Sequence, residues 1–169
     1  MTIMSERPGS VRGYSMHQIG LHWLIALLVI FQLVFGESMI AYVDAAEEGE
    51  PVSALDSLLA NLHYYVGLSI LALVAVRLIL RVRQGVPPPP ESNRAIEIAG
   101  QVSHWLFYAL LVAVPITGLL GYYIGDPFAD IHGWAKPVFI VLIALHVAAS
   151  LYHQFWRRDG LLMRMMKPA

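Results

Sequence analysis

Four long apolar stretches constrain this chain more than any other feature, because each is long enough to need a solvent other than water. A bilayer's hydrocarbon core is about 30 Å thick and takes roughly 20 apolar residues as a helix. The stretches predict helices at about 19–41, 62–83, 101–124 and 134–156, followed by an interfacial segment at 157–169. Four spans in 169 residues leave connections too short for a second folded unit. The expected fold is therefore an all-α integral membrane protein, a four-transmembrane-helix bundle forming one domain over 1–169. A soluble bundle would need charged outer faces, which these stretches lack; charged residues are 14% of the chain and mean hydropathy is +0.60. The first stretch is too long for a signal peptide and has no small-residue cleavage site, so it is read as a span.

Charge placement gives the bundle a direction. Arg7 and Arg12 precede the first span, Arg77, Arg81, Arg83 and Arg94 surround the second connection, and Arg157, Arg158, Arg164 and Lys167 follow the fourth. Ten of the 11 basic residues thus share one side, while the other carries Asp44, Glu47, Glu48, Glu50, Asp56, Asp126 and Asp130, with Lys136 as its one basic residue. The positive-inside rule predicts a multi-pass membrane protein with both termini in the cytoplasm. Its surroundings are then the lipid bilayer, and no nucleic-acid partner is expected. The connection 85–92 contains Pro87, Pro88, Pro89 and Pro90, which favour a stiff extended strap. The mixture of cationic and apolar residues at 157–167 predicts an interfacial helix anchoring the chain.

The chain contains seven histidines and no cysteine, and most of the histidines lie in or beside apolar spans, where an ionisable group is expensive. The missing thiols exclude iron–sulfur clusters, thiolate haem ligation and covalent haem attachment, and leave histidine or methionine as metal ligands. His132 and His146 are 14 residues apart. At 100° per residue this interval returns to within about 40° of the same face, displaced by about 21 Å along the axis. One helix can therefore offer an imidazole to each of two haems stacked across a bilayer. The same interval links His22 to Gly36, His63 to Arg77, and His104 to Gly118.

With alternating helix directions, these positions form two layers. The basic-side layer holds His22, Arg77, His104 and His146, and the acidic-side layer holds Gly36, His63, Gly118 and His132. The acidic-side layer has two histidines, so its ligand pair is His63 with His132. Gly36 and Gly118 lack a Cβ and would let a flat macrocycle approach the backbone; helix–helix packing is their other reading. In the basic-side layer spacing does not choose among His22, His104 and His146. Zinc is the rival metal, but histidine zinc sites gather three or four ligands at one point, whereas these are divided between two depths. Bis-imidazole ligation leaves no open iron position and suits electron transfer.

The chain resembles the bacterial cytochrome b561 family, which is related to the cytochrome b subunits of nickel–iron hydrogenases. The matching pieces are Tyr14-Ser15 with Leu21-His22-Trp23, the segment from His63 to Gly67, and Val76-Arg77-Leu78 with Arg81. They continue with His104, the segment from Pro115 to Gly118, His132 with His146 and His153, and the segment from Trp156 to Met166. The resemblance implies two haem b groups, with His22 and His146 ligating the cytoplasmic-side haem iron and His63 and His132 the periplasmic-side one. It also implies electron transfer between a periplasmic donor and a quinone, and one branch oxidises superoxide and reduces ubiquinone.

Two functions follow. The first is a self-contained oxidoreductase, superoxide:ubiquinone oxidoreductase-like, taking electrons from a periplasmic donor and delivering them to ubiquinone near the cytoplasmic face. Arg77, Arg81 and His153 are its expected quinone site: the arginines offer donors to a carbonyl or a propionate, and His153, seven residues past His146, can supply a proton. The arginines also have a bland reading as snorkelling topology signals. The second is a haem-bearing anchor subunit fed by a dehydrogenase or hydrogenase partner. The acidic outer connections disfavour long-range steering of superoxide unless Lys136 and a haem iron dominate locally, and they suit a cationic carrier protein.

Overall fold

The computed structural model describes residues 13–89 and 93–168. Arg7, Arg12 and Pro90 lie outside the described residues. Among those described there are five α-helices and no strand: α1 (Met16–Phe35), α2 (Glu37–Glu48), α3 (Ala54–Gln84), α4 (Arg94–Ile124) and α5 (Phe128–Tyr152). Four are long and apolar enough to cross a membrane, namely α1, α3, α4 and α5 with the turn that follows it to Arg157. At 31 residues each, α3 and α4 are about 46 Å long and overshoot a hydrocarbon core of about 30 Å. Their end turns therefore stand in the interfaces, where Arg83 and Arg94 meet water at one side of the bundle.

Side-chain caps set the helix starts. Ser15 closes a capping box with Gln18 on α1, Ser53 accepts from the Asp56 N–H on α3, and Asn93 accepts from the Ala95 N–H on α4. Gly85 and Gly125 end α3 and α4 at φ values of 73° and 92°, which favour glycine. α1 packs on α3, α3 on α4 and α4 on α5, so neighbours in sequence are neighbours in space. The buried side chains Ile25, Val29, Ile70, Val74, Tyr108, Ala135 and Phe139 mark the core where these spans meet. Most other large apolar side chains face outward, as lipid-facing positions do.

Three expectations need correction. The first span does not run on to residue 41: α1 stops at Phe35, and after Gly36 a separate helix α2 packs on α3. Its Glu37, Asp44, Glu47 and Glu48 explain the break, since four carboxylates in twelve residues cannot follow α1 through hydrocarbon. The second, third and fourth helices also begin some six to eight residues earlier than hydropathy predicts; side-chain caps from Ser53 and Asn93 set the earlier starts of α3 and α4, and α5 starts after Pro127 without one. Finally, the stretch after residue 152 is not one continuous interfacial helix. A π-helical turn at His153–Arg157 gives way to left-handed Arg158 at φ 53°, Gly160 at φ 73° and a 3₁₀ turn at Leu162–Met165.

These irregular pieces close the basic end of the bundle. The Trp23 ring N–H donates to the Met165 carbonyl at 2.8 Å, and Arg164 donates to the Pro88 carbonyl of the strap at 2.7 Å. Gln18, which is only 4% exposed, donates to the Gly85 carbonyl at 3.0 Å. Asp159 anchors the returning tail, meeting His153 Nδ1 at 2.5 Å and the Leu161 N–H at 3.1 Å. Burial pushes the Asp159 carboxyl up, but the hydrogen bonds from His153 and Leu161 and the charges of His153 and Arg157 outweigh it and hold the group below 3.8. A depressed carboxylate stabilises the fold above its ordinary value and loses that contribution as pH falls through its lowered one. Asp159→Ala is therefore expected to speed hydrogen exchange of 158–168 at neutral pH, whereas the parent tail loosens only below pH 3.8.

Candidate haem-binding site

Imidazoles meet at two depths of the bundle. Toward the acidic end, His63 on α3 and His132 on α5 face each other with ring centroids 5.9 Å apart. Toward the basic end, His22 on α1 and His146 on α5 are 6.3 Å apart, and His104 on α4 lies 5.8 Å from His146. With imidazole–metal bonds of about 2.0 Å, and ring nitrogens roughly 1.1 Å from their ring centres, two imidazoles sharing one iron hold their centroids about 6 Å apart. All three spacings fit axial ligation. Although α5 carries a member of each pair, its close backbone packing is against α4 and the turn that follows it. His63 and His132, like His22 and His146, thus meet between helices whose backbones are not closely packed, whereas His104 and His146 belong to the closely packed pair α4 and α5.

Local contacts fix which ring nitrogen is free. His132 Nδ1 lies 2.9 Å from the Val114 carbonyl on α4, and His104 Nδ1 lies 2.6 Å from the Gly100 carbonyl one turn earlier. A carbonyl only accepts, so Nδ1 carries the hydrogen in both and Nε2 is left for a metal. His22 differs. Its Nδ1 lies 3.3 Å from Arg77 Nη2, and a guanidinium only donates, so this nitrogen accepts.

Two glycines of the acidic-side layer sit against imidazoles. A Cβ on Gly118 would lie 2.9 Å from His132 Nδ1 and Cε1, too close for any side chain, and one on Gly36 would lie 3.6 Å from His63 Cε1. What the missing Cβ at 118 admits is the His132 ring itself.

Arg77, Arg81 and His153 all stand toward the basic end, each with its own anchor. Arg77 donates to the Gln18 carbonyl at 2.7 Å and reaches His22, while Arg81 places its guanidinium 5.6 Å from the Trp105 ring centre and 5.7 Å from that of Tyr108. Burial pushes the nearby Tyr14 hydroxyl above 10.0 against the opposing charges of Arg81, Arg77 and Arg164, so Tyr14 stays a neutral donor among cations. His153, 8% exposed, is turned to Asp159. Just beyond it a pocket of about 330 Å³ is lined by Gln154, Phe155, Arg158 and Gly160.

Sequence reasoning missed several partners. Gln32 on α1 donates to the His63 carbonyl at 2.8 Å, and its position inside an apolar span was the available signal. The ion pair of Lys136 with Glu37, which ties α5 to the start of α2, and the 3.0 Å contact between the Tyr64 and Tyr123 hydroxyls carry no signal in spacing.

The prokaryotic cytochrome b561 family model matches residues 13–168, nearly the whole chain. The chain belongs to this family. It is 34% identical to cytochrome b562 of Cereibacter sphaeroides, over 98% of this chain and 99% of that protein. It is 28% identical to a probable superoxide oxidase, CybB, of Yersinia pestis, covering 90% of this chain and 95% of that one. Cytochrome b561 homolog 1 of Escherichia coli K12 is also 28% identical, over 90% of this chain and 96% of that protein. The chain is accordingly a multi-pass bacterial membrane cytochrome of haem b and electron transport, and the paired imidazoles fit the group that a b561 cytochrome carries.

Gly118→Ala forces a methyl group into the His132 ring and is expected to cost about 1–3 kcal/mol of overpacking strain. Haem content per protein should fall. Gly133→Ala on α5, where a Cβ meets open space, should keep the parent content in the same haem assay.

Proposed function

We propose that this b561 cytochrome is a dihaem oxidoreductase that carries electrons across the bilayer from a donor at its acidic end to ubiquinone at its basic end. The observation carrying this reading is the arrangement of imidazoles in pairs at two depths, with centroid spacings of 5.9 and 6.3 Å. His63 and His132 hold the acidic-side haem, and His22 and His146 the basic-side haem. When bound, the haems supply one-electron chemistry with no open iron position. The excess of Arg and Lys at the basic end supports a cytoplasmic placement of that end, with both termini inside.

Ubiquinone reduction takes place among Arg77, Arg81 and His153. A quinone carbonyl needs donors, and the basic end supplies them, while the polar groups of the acidic end are mainly carboxylates. His153 delivers the proton, and Asp159 orients its ring.

One observation favours another ligand for the basic-side haem. His104 has its Nε2 free and lies 5.8 Å from His146, whereas His22 accepts from Arg77 through Nδ1. Another favours a protein donor over superoxide: Lys136, the one basic residue in the acidic connections, is paired with Glu37. An anion then meets no free cation there, and a cationic carrier protein meets a complementary surface.

Pyridine haemochrome assay should give about two haems per chain. His63→Ala or His132→Ala should remove one, and His104→Ala should retain both; loss of a haem in His104→Ala with retention in His22→Ala assigns His104 as the ligand. For function, stopped-flow mixing of partner-free protein with superoxide and then with a short-chain ubiquinone tests both half-reactions. His153→Ala is expected to slow haem oxidation by ubiquinone about 10²-fold or more without altering the bis-imidazole spectrum. Unchanged oxidation in that variant rejects the proposed quinone site, and slow reduction by superoxide with fast reduction by a basic carrier protein assigns the donor to the second class.

A further inference from the structure

Gln32 is a carboxamide in the last turn of the apolar span α1, where burying an amide without partners is costly. One half of it is satisfied, since Nε2 donates to the His63 backbone carbonyl on α3 at 2.8 Å. The other half is not. Among the described residues, Gln32 Oε1 and His63 Nδ1 are both buried side-chain atoms without a hydrogen-bond partner. One is an obligate acceptor. The other is a ring nitrogen able to carry a hydrogen. They belong to two residues already joined through a backbone contact, and each would resolve the other's deficit.

The surrounding backbone leaves space for this pairing. A Cβ on Gly67, one turn after His63, would lie 3.3 Å from Gln32 Nε2, so glycine there gives the amide its room. Gly36, one turn after Gln32, adjoins the same ring: a Cβ there would meet His63 Nδ1 at an ordinary contact distance of 3.8 Å and the Gln32 backbone carbonyl at 2.8 Å. The facing histidine already shows the pattern: His132 gives its Nδ1 hydrogen to the Val114 carbonyl and keeps Nε2 for the metal. His63 lacks an equivalent in this structure, where its Nδ1 and Gln32 Oε1 both stand unpartnered.

We propose that Gln32 is the positioning residue of His63, its Nε2 donating to the His63 carbonyl and its Oε1 accepting the hydrogen of His63 Nδ1. The inference rests on the reading of His63 as a haem ligand. Its consequence is both orientational and electronic. An acceptor on Nδ1–H holds the ring with Nε2 toward His132 and makes the imidazole a stronger donor to iron, which favours the oxidised state. Gln32 thus sets the potential of the acidic-side haem, the one that meets the donor.

The test is a redox titration of the purified holoprotein carrying Gln32→Leu or Gln32→Glu, with the low-spin haem signals followed by electron paramagnetic resonance. The acidic-side component is identified as the one that disappears in His63→Ala. Gln32→Leu removes the acceptor and is expected to raise that component's midpoint by the equivalent of about tenfold in relative affinity for oxidised and reduced iron, or 59 mV for one electron. Gln32→Glu strengthens the acceptor and should lower it by a similar amount, with the other component unmoved in both. A residue serving only helix packing would not produce shifts of opposite sign. If Gln32→Leu fails to retain the haem, Gln32→Glu decides alone. An unmoved or raised midpoint in Gln32→Glu overturns the proposal while the ligand assignment stands. Retention of both components in His63→Ala instead overturns the ligand assignment.

Discussion

A polar ring in hydrocarbon has to be hydrogen-bonded or ligated, and the architecture of this cytochrome follows from meeting that demand at several histidines at once. His132 reaches the Val114 carbonyl across a helix interface, His104 uses the Gly100 carbonyl of its own helix, His22 accepts from Arg77, and His153 donates to Asp159. Each solution imposes a cost elsewhere. The His132 bond requires α4 and α5 to approach closely enough that residue 118 has no Cβ, and the Asp159 bond requires the chain to turn back through left-handed Arg158. Neither irregularity would be expected of a bundle built for packing alone.

The same demand explains what could be read in advance and what could not. The spans and the two imidazole layers are properties of hydropathy and of the 3.6-residue period, both written directly in residue order. His63 with His132 was legible because the acidic-side layer offers no other histidine. The basic-side layer was not, since His22, His104 and His146 all return to one depth, and choosing among them depends on which ring nitrogen each contact leaves free. That is a matter of rotamer and partner, and spacing is silent on both. The break at Gly36 was missed because Met39, Ile40 and Ala41 keep a hydropathy window apolar in spite of Glu37, while the other carboxylates that pull α2 out of the span, Asp44, Glu47 and Glu48, come later in the sequence.

Arg77, Arg81 and His153 illustrate a different gap. Helical arithmetic brings them to one end, and there the structure has them, but Arg77 is drawn to α1 by Gln18 and His22, Arg81 to the rings of Trp105 and Tyr108, and His153 to the tail. Cations at a membrane interface find carbonyls and aromatic faces before they find one another, because like charges repel and each partner reduces the desolvation cost. The three can serve one quinone headgroup from separate anchors, each holding its donor in a fixed direction. Preorganised donors cost less to use than mobile ones, so separate anchoring is compatible with a shared ligand.

Charge then sorts the two ends by what each can receive. Neutralising Lys136 with Glu37 leaves the acidic end without its local cation, next to the helix turn that carries His132. An approaching anion gains nothing from that surface at the Debye length of about 8 Å that applies at physiological salt, whereas a basic protein gains from Asp44, Glu47 and Glu48 of α2. At the other end Arg77, Arg81 and Arg164 act on Tyr14, and Arg164 also holds the strap, so a carbonyl there finds donors. On the proposed reading, a donor end rich in carboxylates and an acceptor end rich in arginines would give the path its polarity before any haem potential is considered, and Gln32 would add to that polarity through the proposed ligand His63.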